Sequence, residues 1–398
     1  MLRAAGDTTE LVDRIAAAIR SRAPVTRRFF AENAPAIAAA ARVVAERLSS
    51  GGRVFAFGRG AYATDAQHMA VEFVHPVLVG KRALPASDVS LSFETSLAVI
   101  VKAQDVVVGF GPPHGDAIVT RALAGARAAG AYTIALPGRD ADFAMDAASD
   151  DEHVHQEIVE LLGHMLYESV HVFLEHRQHD HDLGASAFLY PFLGGERHAP
   201  EAVTADVTSS IVQKAADAET LRERVAAEEC GAIAAAVRTI VDGVAAGGRL
   251  LLFGNGGSAT DATDWALDCV TPPDGLVPIP ALSLAVEPAT ITAIANDVGR
   301  EFVFLRQLIA HVEPHDVVVA LSTSGGSLNV IAALEEARKR GNRTIALLGY
   351  DGGEILRRGL ADQAIVVRSD YIPRVQEAQA TIYHTMRHAT DWLLRDAG

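Results

Sequence analysis

One stretch of this chain occurs twice. Residues 253–270 align without a gap on residues 57–74, and nine of the eighteen positions are identical. Each copy follows an apolar run, Arg53–Phe57 in one and Arg249–Phe253 in the other. Each run leads into glycines and then into a helical pattern. A strand that enters a helix through glycines presents free backbone N–H groups to an anion, and in the second copy the Ser258 hydroxyl joins them. A duplicated strand–loop–helix implies a duplicated domain. What each copy keeps and loses is then informative about function.

The rest of the chain repeats in the same order. Continuously apolar strands are expected at Arg53–Phe57, Asp105–Phe110 and Thr133–Leu136. They recur at Arg249–Phe253, Asp316–Leu321 and Thr344–Leu348, with a further one at Gln363–Val367. A weaker strand is expected near Arg82–Leu84, and another strand at Ala281–Leu284. Helical periodicity fills the intervals, and closing helices are expected at about Val154–Glu175 and Val375–Leu394. Buried strands alternating with helices predict an α/β fold, with parallel sheets covered on both faces. The expected organisation is a domain at 1–176, a linker at 177–204 broken by Gly184, Pro191, Gly194, Gly195 and Pro200, and a domain at 205–398. The two domains are expected to pack as a pseudo-dimer. The offset between the copies grows from 196 at the first loop to 211 at Asp105 and Asp316 and 220 at the closing helices. The second half therefore holds about fifteen extra residues before Asp316, among them Thr292–Asp297.

Composition narrows the partners. A formal charge of −15 with no basic face argues against nucleic acid. Two cysteines fit a reducing, cytoplasmic setting. The first residues lack a signal-like apolar core, and no apolar run is long enough to span a bilayer. None of this bears against a phosphorylated substrate, whose recognition depends on one local loop.

Two sets of residues carry candidate chemistry. Ser322, Thr323, Ser324 and Ser327 lie between a buried strand and a helix, where ligands of such sheets bind. Capping the helix needs one hydroxyl, and four suit a phosphate dianion better. The first half has Gly111, Pro112, Pro113 and Asp116 there, and Tyr62 in place of Ser258. Proline removes N–H donors and aspartate repels an anion, so the first loop is expected to have lost phosphate. The second set is His68 and Glu72, four apart on one helix face, with Gln156 and His164 eight apart on another. The matching positions of the second half are Asp264, Asp268, Gln376 and His384, read as decay that leaves a solvated face. His171, His176, His179 and His181 read as a solvated helix end, and Met69 and Trp265 as core. Arg374 suits either a substrate oxygen or a structural ion pair.

The motifs Gly254–Ala259, Thr292–Asp297, Ser322–Ser327 and Pro373–Glu377 together resemble the sugar isomerase (SIS) domain of phosphoheptose isomerases. The first half resembles the same domain at Thr64–His68, Glu72 and Gln156 through His164. The resemblance implies two SIS domains and an aldose–ketose isomerase that converts sedoheptulose 7-phosphate to glycero-manno-heptose 7-phosphate through an enediol. It implies proton transfer by Glu72 and His164. It implies a divalent metal, zinc foremost, on His68, Glu72, Gln156 and His164, and no nucleotide cofactor. The substrate would be held by Asn255, Gly256, Gly257, Ser258, Asn296, Asp297, Ser322, Thr323, Ser324 and Ser327, with Gln376 and His384. It also implies a homo-oligomer, a dimer of tandem chains. Two alternatives stand beside this: a sugar-phosphate-binding regulator or scaffold without turnover, and an isomerase of another phosphosugar such as a hexulose phosphate. The joint presence of His68, Glu72 and His164 favours an enzyme.

Overall fold

Among the described residues, ten short strands build two parallel sheets of five. The first has the order β2-β1-β3-β4-β5, from β1 (Val54–Phe57), β2 (Ala86–Asp88), β3 (Val106–Phe110), β4 (Tyr132–Leu136) and β5 (Phe143–Ala144). The second has β10-β9-β8-β6-β7, from β6 (Leu250–Phe253), β7 (Ala281–Ser283), β8 (Val317–Ser322), β9 (Arg343–Gly349) and β10 (Gln363–Val367). The two orders are the same topology, and every pairing is parallel. This computed structural model describes residues 8–76, 81–177, 200–273 and 275–396.

The central strands are apolar because both their faces are covered. Val54, Val106, Val108 and Ile134 face one cluster of the first sheet, and Phe55, Phe57 and Val107 face the other. Matching polar pins fix the strand edges. Asp105 Oδ1 accepts from the Arg53 amide, and Asp316 Oδ1 from the Arg249 amide, both at 2.9 Å. An aromatic pair recurs as well. Phe57 stacks on Phe93 at 4.5 Å, and Phe253 stacks on Phe304 at 5.0 Å. Such pairs add about 0.5–1.5 kcal/mol beyond their buried area.

Two compact units divide the chain: Ala23–Glu219, and Met1–Arg22 with Thr220–Gly398. The first helix, Thr8–Arg20, thus belongs with the second half and not with the domain its position suggests. Its Leu11, Ile15 and Ile19 share a core with Ile233, Val237 and Ile240. The long helix Pro200–Glu228 is divided in the same way, and Val203, Val207 and Ile211 join the first-half core. Of the linker expected at 177–204, residues 178–199 lie outside the described residues, and His179 and His181 with them.

Other differences have local causes. The strand expected near Arg82–Leu84 is displaced to Ala86–Asp88, because Leu84 is buried and its amide bonds the Phe73 carbonyl at the end of a helix. Strand β5 is two residues long, too short for a period to show. Helix Val303–His311 follows the Thr292–Asp297 segment and is not among the expected elements. Met69 and Trp265 are core, as expected. His171 is not at a solvated end. It is 2% exposed, and burial, with Lys81 and Arg82 adding to it, lowers its pKa to about 3.

Candidate active site

Three buried side chains converge in the unit Ala23–Glu219. His68 and Glu72 lie one turn apart on helix Tyr62–Val74, and His164 comes from helix Glu152–Arg177. The two Nε2 atoms of His68 and His164 are 3.3 Å apart, with their rings at 72°. One ligand atom from each of the three residues lies within 4.8 Å of the others. They are 7%, 3% and 2% exposed in the order His68, Glu72, His164. With Asp65, Met69, Phe110, Val159, Glu160 and Gly163 they line one partly open pocket.

Burial dominates the electrostatics here. It raises the Glu72 pKa, His164 and His68 pull it back, and Glu168 pushes it up again. Glu72 Oε2 is buried without a hydrogen-bond partner. An orphaned carboxylate oxygen beside two imidazoles is costly unless a proton or a cation completes it. The 3.3 Å separation of the imidazole nitrogens suits a shared proton. It also matches one edge of a tetrahedron whose metal–nitrogen bonds are about 2.0–2.1 Å. The donor set therefore fits a divalent cation. Gln156, 5% exposed, lies two turns before His164, and its amide nitrogen donates to Asp65 at 3.2 Å. Asp65 lines the same pocket, so that bond ties Gln156 to its rim. Glu168, one turn beyond His164, pairs with Lys214.

The equivalent positions of the second half are also buried, which corrects the expectation of a solvated face. Asp264 and Asp268 are each 2% exposed, and His384 is fully buried. His384 Nε2 lies 3.5 Å from Asp264 and 3.4 Å from Asp268, so one imidazole sits against two carboxylates. Tyr383 Oη donates to Asp264 at 2.8 Å. Gln376 is buried on the same helix. Arg374 is buried too and pairs with Glu377, the structural alternative of its two readings. A helix face that packs is buried whatever chemistry its side chains carry.

The serine loop follows β8. Ser322 Oγ accepts from the Gly325 amide at 3.1 Å, and Ser324 Oγ from the Gly326 amide at 3.2 Å. These bonds shape the turn and leave both hydroxyl protons free to point elsewhere. Ser327 precedes helix Leu328–Lys339 without capping it through its side chain. The glycine loop after β6 meets this helix start. Asn255 and Asn329 exchange two amide bonds, at 3.0 and 2.8 Å. Gly256 sits at φ +57°, and a Cβ on Gly254 would lie 2.4 Å from the Ser258 carbonyl, so both need glycine. Gly257 and Ser258 begin the helix and are buried. Asn296 and Asp297 bond each other at 2.7 Å, at the exposed end of helix Pro288–Asp297. The structure thus joins the glycine and serine loops through Asn255, and sets Gln376 and His384 on the helix that faces Asp264 and Asp268.

The first-half loop carries its own anion. Asp116 accepts from the amides of Ile118 and Val119, at 2.7 and 3.1 Å, as the cap of helix Ala117–Ala128. Arg59, which aligns with Asn255, pairs with it at 2.9 Å. Burial raises the Asp116 pKa, but those two amides and Arg59 outweigh it and hold the carboxyl below its ordinary value.

Sequence reasoning missed Asp65, Asn329 and Tyr383. The first had a signal: Asp65 recurs as Asp261 in the duplicated stretch. Asn329 and Tyr383 had none, since an exchange of amides between two loops and a phenol–carboxylate bond between two helices are long-range contacts.

Known proteins show what the chain is similar to. The model of the SIS domain family matches residues 19–138 and 215–349. The phosphoheptose isomerase of Citrifermentans bemidjiense is 46% identical over 158 residues, 38% of this chain and 79% of that protein. That of Solidesulfovibrio magneticus is 40% identical over 190 residues, 48% of this chain and 90% of that protein. The crystal structure of the tagatose-6-phosphate ketose/aldose isomerase from Escherichia coli superposes with a TM-score of 0.57 at 16% identity. It covers 100% of this chain and 98% of that one, a likeness of fold.

Proposed function

The chain belongs to the SIS domain family, and from that premise we propose that it is an aldose–ketose isomerase of a sugar phosphate, with sedoheptulose 7-phosphate as substrate and glycero-manno-heptose 7-phosphate as product. The observation that carries this is the buried cluster of His68, Glu72 and His164 at the pocket. A carboxylate with an unpartnered oxygen beside two imidazoles suits proton transfer better than sugar binding alone. The substrate class is supported by the named activity of the relatives and by the serine loop in the other unit.

The chemistry follows from these groups. Glu72 takes the proton from the carbon next to the carbonyl, and His164 gives a proton to the carbonyl oxygen, so that a cis-enediol forms. The proton returns from Glu72 to the neighbouring carbon while the other enediol hydroxyl gives its proton to His164, which restores both groups. Bonds and electrons balance without an external oxidant. Burial keeps Glu72 a stronger base than an exposed carboxylate would be. A divalent cation, zinc foremost, held by His68, Glu72, Gln156 and His164 would polarise the carbonyl when bound. In the other unit, taken by itself, the hydroxyls of Ser258, Ser322, Thr323, Ser324 and Ser327 and the amides of the Asn255–Gly257 turn suit a phosphate, with Asn296, Asp297, Gln376 and His384 assigned to a sugar. The protein acts in the cytoplasm as a homo-oligomer.

The test uses the full chain. It is incubated with a panel of ketose phosphates in deuterated water, and carbon-bound deuterium and the aldose product are followed by NMR. Deuterium in the seven-carbon substrate, with formation of the aldose, is the expected result. Exchange in a six-carbon ketose phosphate alone would replace the substrate, and exchange in none would replace the enzyme with a binding protein.

A further inference from the structure

The serine loop is not supported by its own strand and helix alone. A segment that the first half lacks is packed beneath it. In both halves a strand threonine bonds an aspartate that closes the following loop: Thr133 with Asp142, and Thr344 with Asp362. The first pair is separated by nine positions and the second by eighteen. The added stretch holds Gly352, Gly353, the short helix Gly353–Arg357 and Leu360. It occurs in the half that keeps the serines and is absent from the half that has Pro112, Pro113 and Asp116 instead.

The contact is backbone against backbone. A Cβ on Gly325 would lie 2.2 Å from the Gly352 carbonyl oxygen. One on Gly353 would lie 2.2 Å from the Ser324 carbonyl oxygen, and one on Gly349 2.5 Å from that of Thr323. The Ile355 amide donates to the Gly325 carbonyl at 3.0 Å. Gly325 and Gly353 both have positive φ, +60° and +56°. The Gly353 amide bonds Asp351 Oδ1 at 3.0 Å, which fixes the turn. Three glycines thus let two chain segments touch where no side chain fits, and the carbonyls of Thr323, Ser324 and Gly325 are held toward this segment. An amide plane held on its carbonyl side is held on its N–H side as well.

We propose that the Gly349–Ile355 segment is a positioning element for the phosphate-binding loop, with Gly325, Gly349 and Gly353 as its positioning residues. It orients the amides and hydroxyls of Thr323–Ser327 before the anion arrives. This rests on the reading that the serine loop binds the phosphate, and the test separates the two ideas. Preorganised donors lose much of their value when displaced by as little as an ångström.

The full chain is titrated with inorganic phosphate by calorimetry, and KM and kcat are measured with sedoheptulose 7-phosphate. Four variants are compared: Ser324→Ala, Gly353→Ala, Gly359→Ala and Asp351→Ala. Gly359 has the same kind of backbone, φ +58°, but nothing lies within 4 Å of its Cβ position, so it controls for strain alone. Asp351→Ala adds no atoms at a side chain that is 78% exposed, so it tests the seat even if Gly353→Ala does not fold. Gly353→Ala is expected to weaken phosphate binding by about tenfold or more and to raise KM, and Asp351→Ala to do so by about threefold, while Gly359→Ala stays within about twofold. Metal bound at His68, Glu72 and His164 should be the same in all four. If Ser324→Ala weakens phosphate but Gly353→Ala and Asp351→Ala do not, the positioning role is overturned. It is overturned equally if Gly359→Ala matches Gly353→Ala. If Ser324→Ala leaves phosphate binding unchanged, the loop assignment itself fails.

Discussion

Two helix pairs hold four side chains at the same register positions and end in different chemistry. In one unit His68, Glu72 and His164 put two imidazoles and one carboxylate together, with Gln156 nearby and bonded to Asp65. In the other, Asp264 and Asp268 flank His384. Both sets are almost fully buried, so burial does not distinguish them. Donor type does. The first set has two imidazoles and a carboxylate with an unpartnered oxygen, whereas the second has one imidazole against two carboxylates.

This contrast is most directly broken by turnover. Glu72→Gln keeps the shape and removes the base, and should lower kcat by about 10²–10⁴. Asp268→Asn, at the same register position, should change kcat by less than about threefold. Steady-state rates on samples matched by circular dichroism are the measurement. Comparable losses in the two variants would mean that both sets take part in catalysis. Metal content sharpens the same point. His68→Ala should remove bound divalent metal measured by elemental analysis, and Asp264→Ala should leave it in place. A cation on Glu72 competes with its role as base, so metal and turnover are read on the same samples.

The two loops give the next, smaller effect. Ser324→Ala removes a hydroxyl from the loop after β8 and should raise KM for the sugar phosphate by about tenfold, the scale of one hydrogen bond to a charged group. Pro113→Ala in the loop after β3 should change it by less than about twofold. A larger effect at Pro113 would return phosphate binding to the first half.

The parallel sheets, the duplication and the four-position register can be read from residues alone, because apolar strands and a gapless repeat are local signals. Spacing puts His68 with Glu72, and Gln156 with His164, on shared helix faces, but only the resemblance to the SIS domain singles these four out. The partners that complete them are long-range contacts. Asp65 meets Gln156 across 91 positions, and Tyr383 meets Asp264 across 119. The unit that helix Thr8–Arg20 joins is hidden for the same reason: its apolar stripe fits a core, but no residue in it says which. Asp264 and Asp268 read as solvated because aspartate is usually exposed, whereas the packed helix face decides otherwise.

The smallest effect separates the two loops by charge. Asp116 is a built-in anion at the start of helix Ala117–Ala128, and the matching Ser327 carries none. Asp116→Ala removes two cap bonds and should cost about 1 kcal/mol. Its pair with Arg59 adds little, because that side chain is half exposed. The carboxyl is held below its ordinary value of 3.8, so its contribution is complete above that value. It is lost as pH falls through the lower folded value. Amide exchange at Ile118 and Val119 should therefore be faster in Asp116→Ala than in wild type at neutral pH. The two should converge once acid has protonated Asp116. The corresponding amides of helix Leu328–Lys339, at Asn329 and Val330, should exchange alike in both proteins at every pH. A gap at Ile118 and Val119 that persists in strong acid would mean that the aspartate side chain acts by packing, and that the first loop did not replace a bound anion with one of its own.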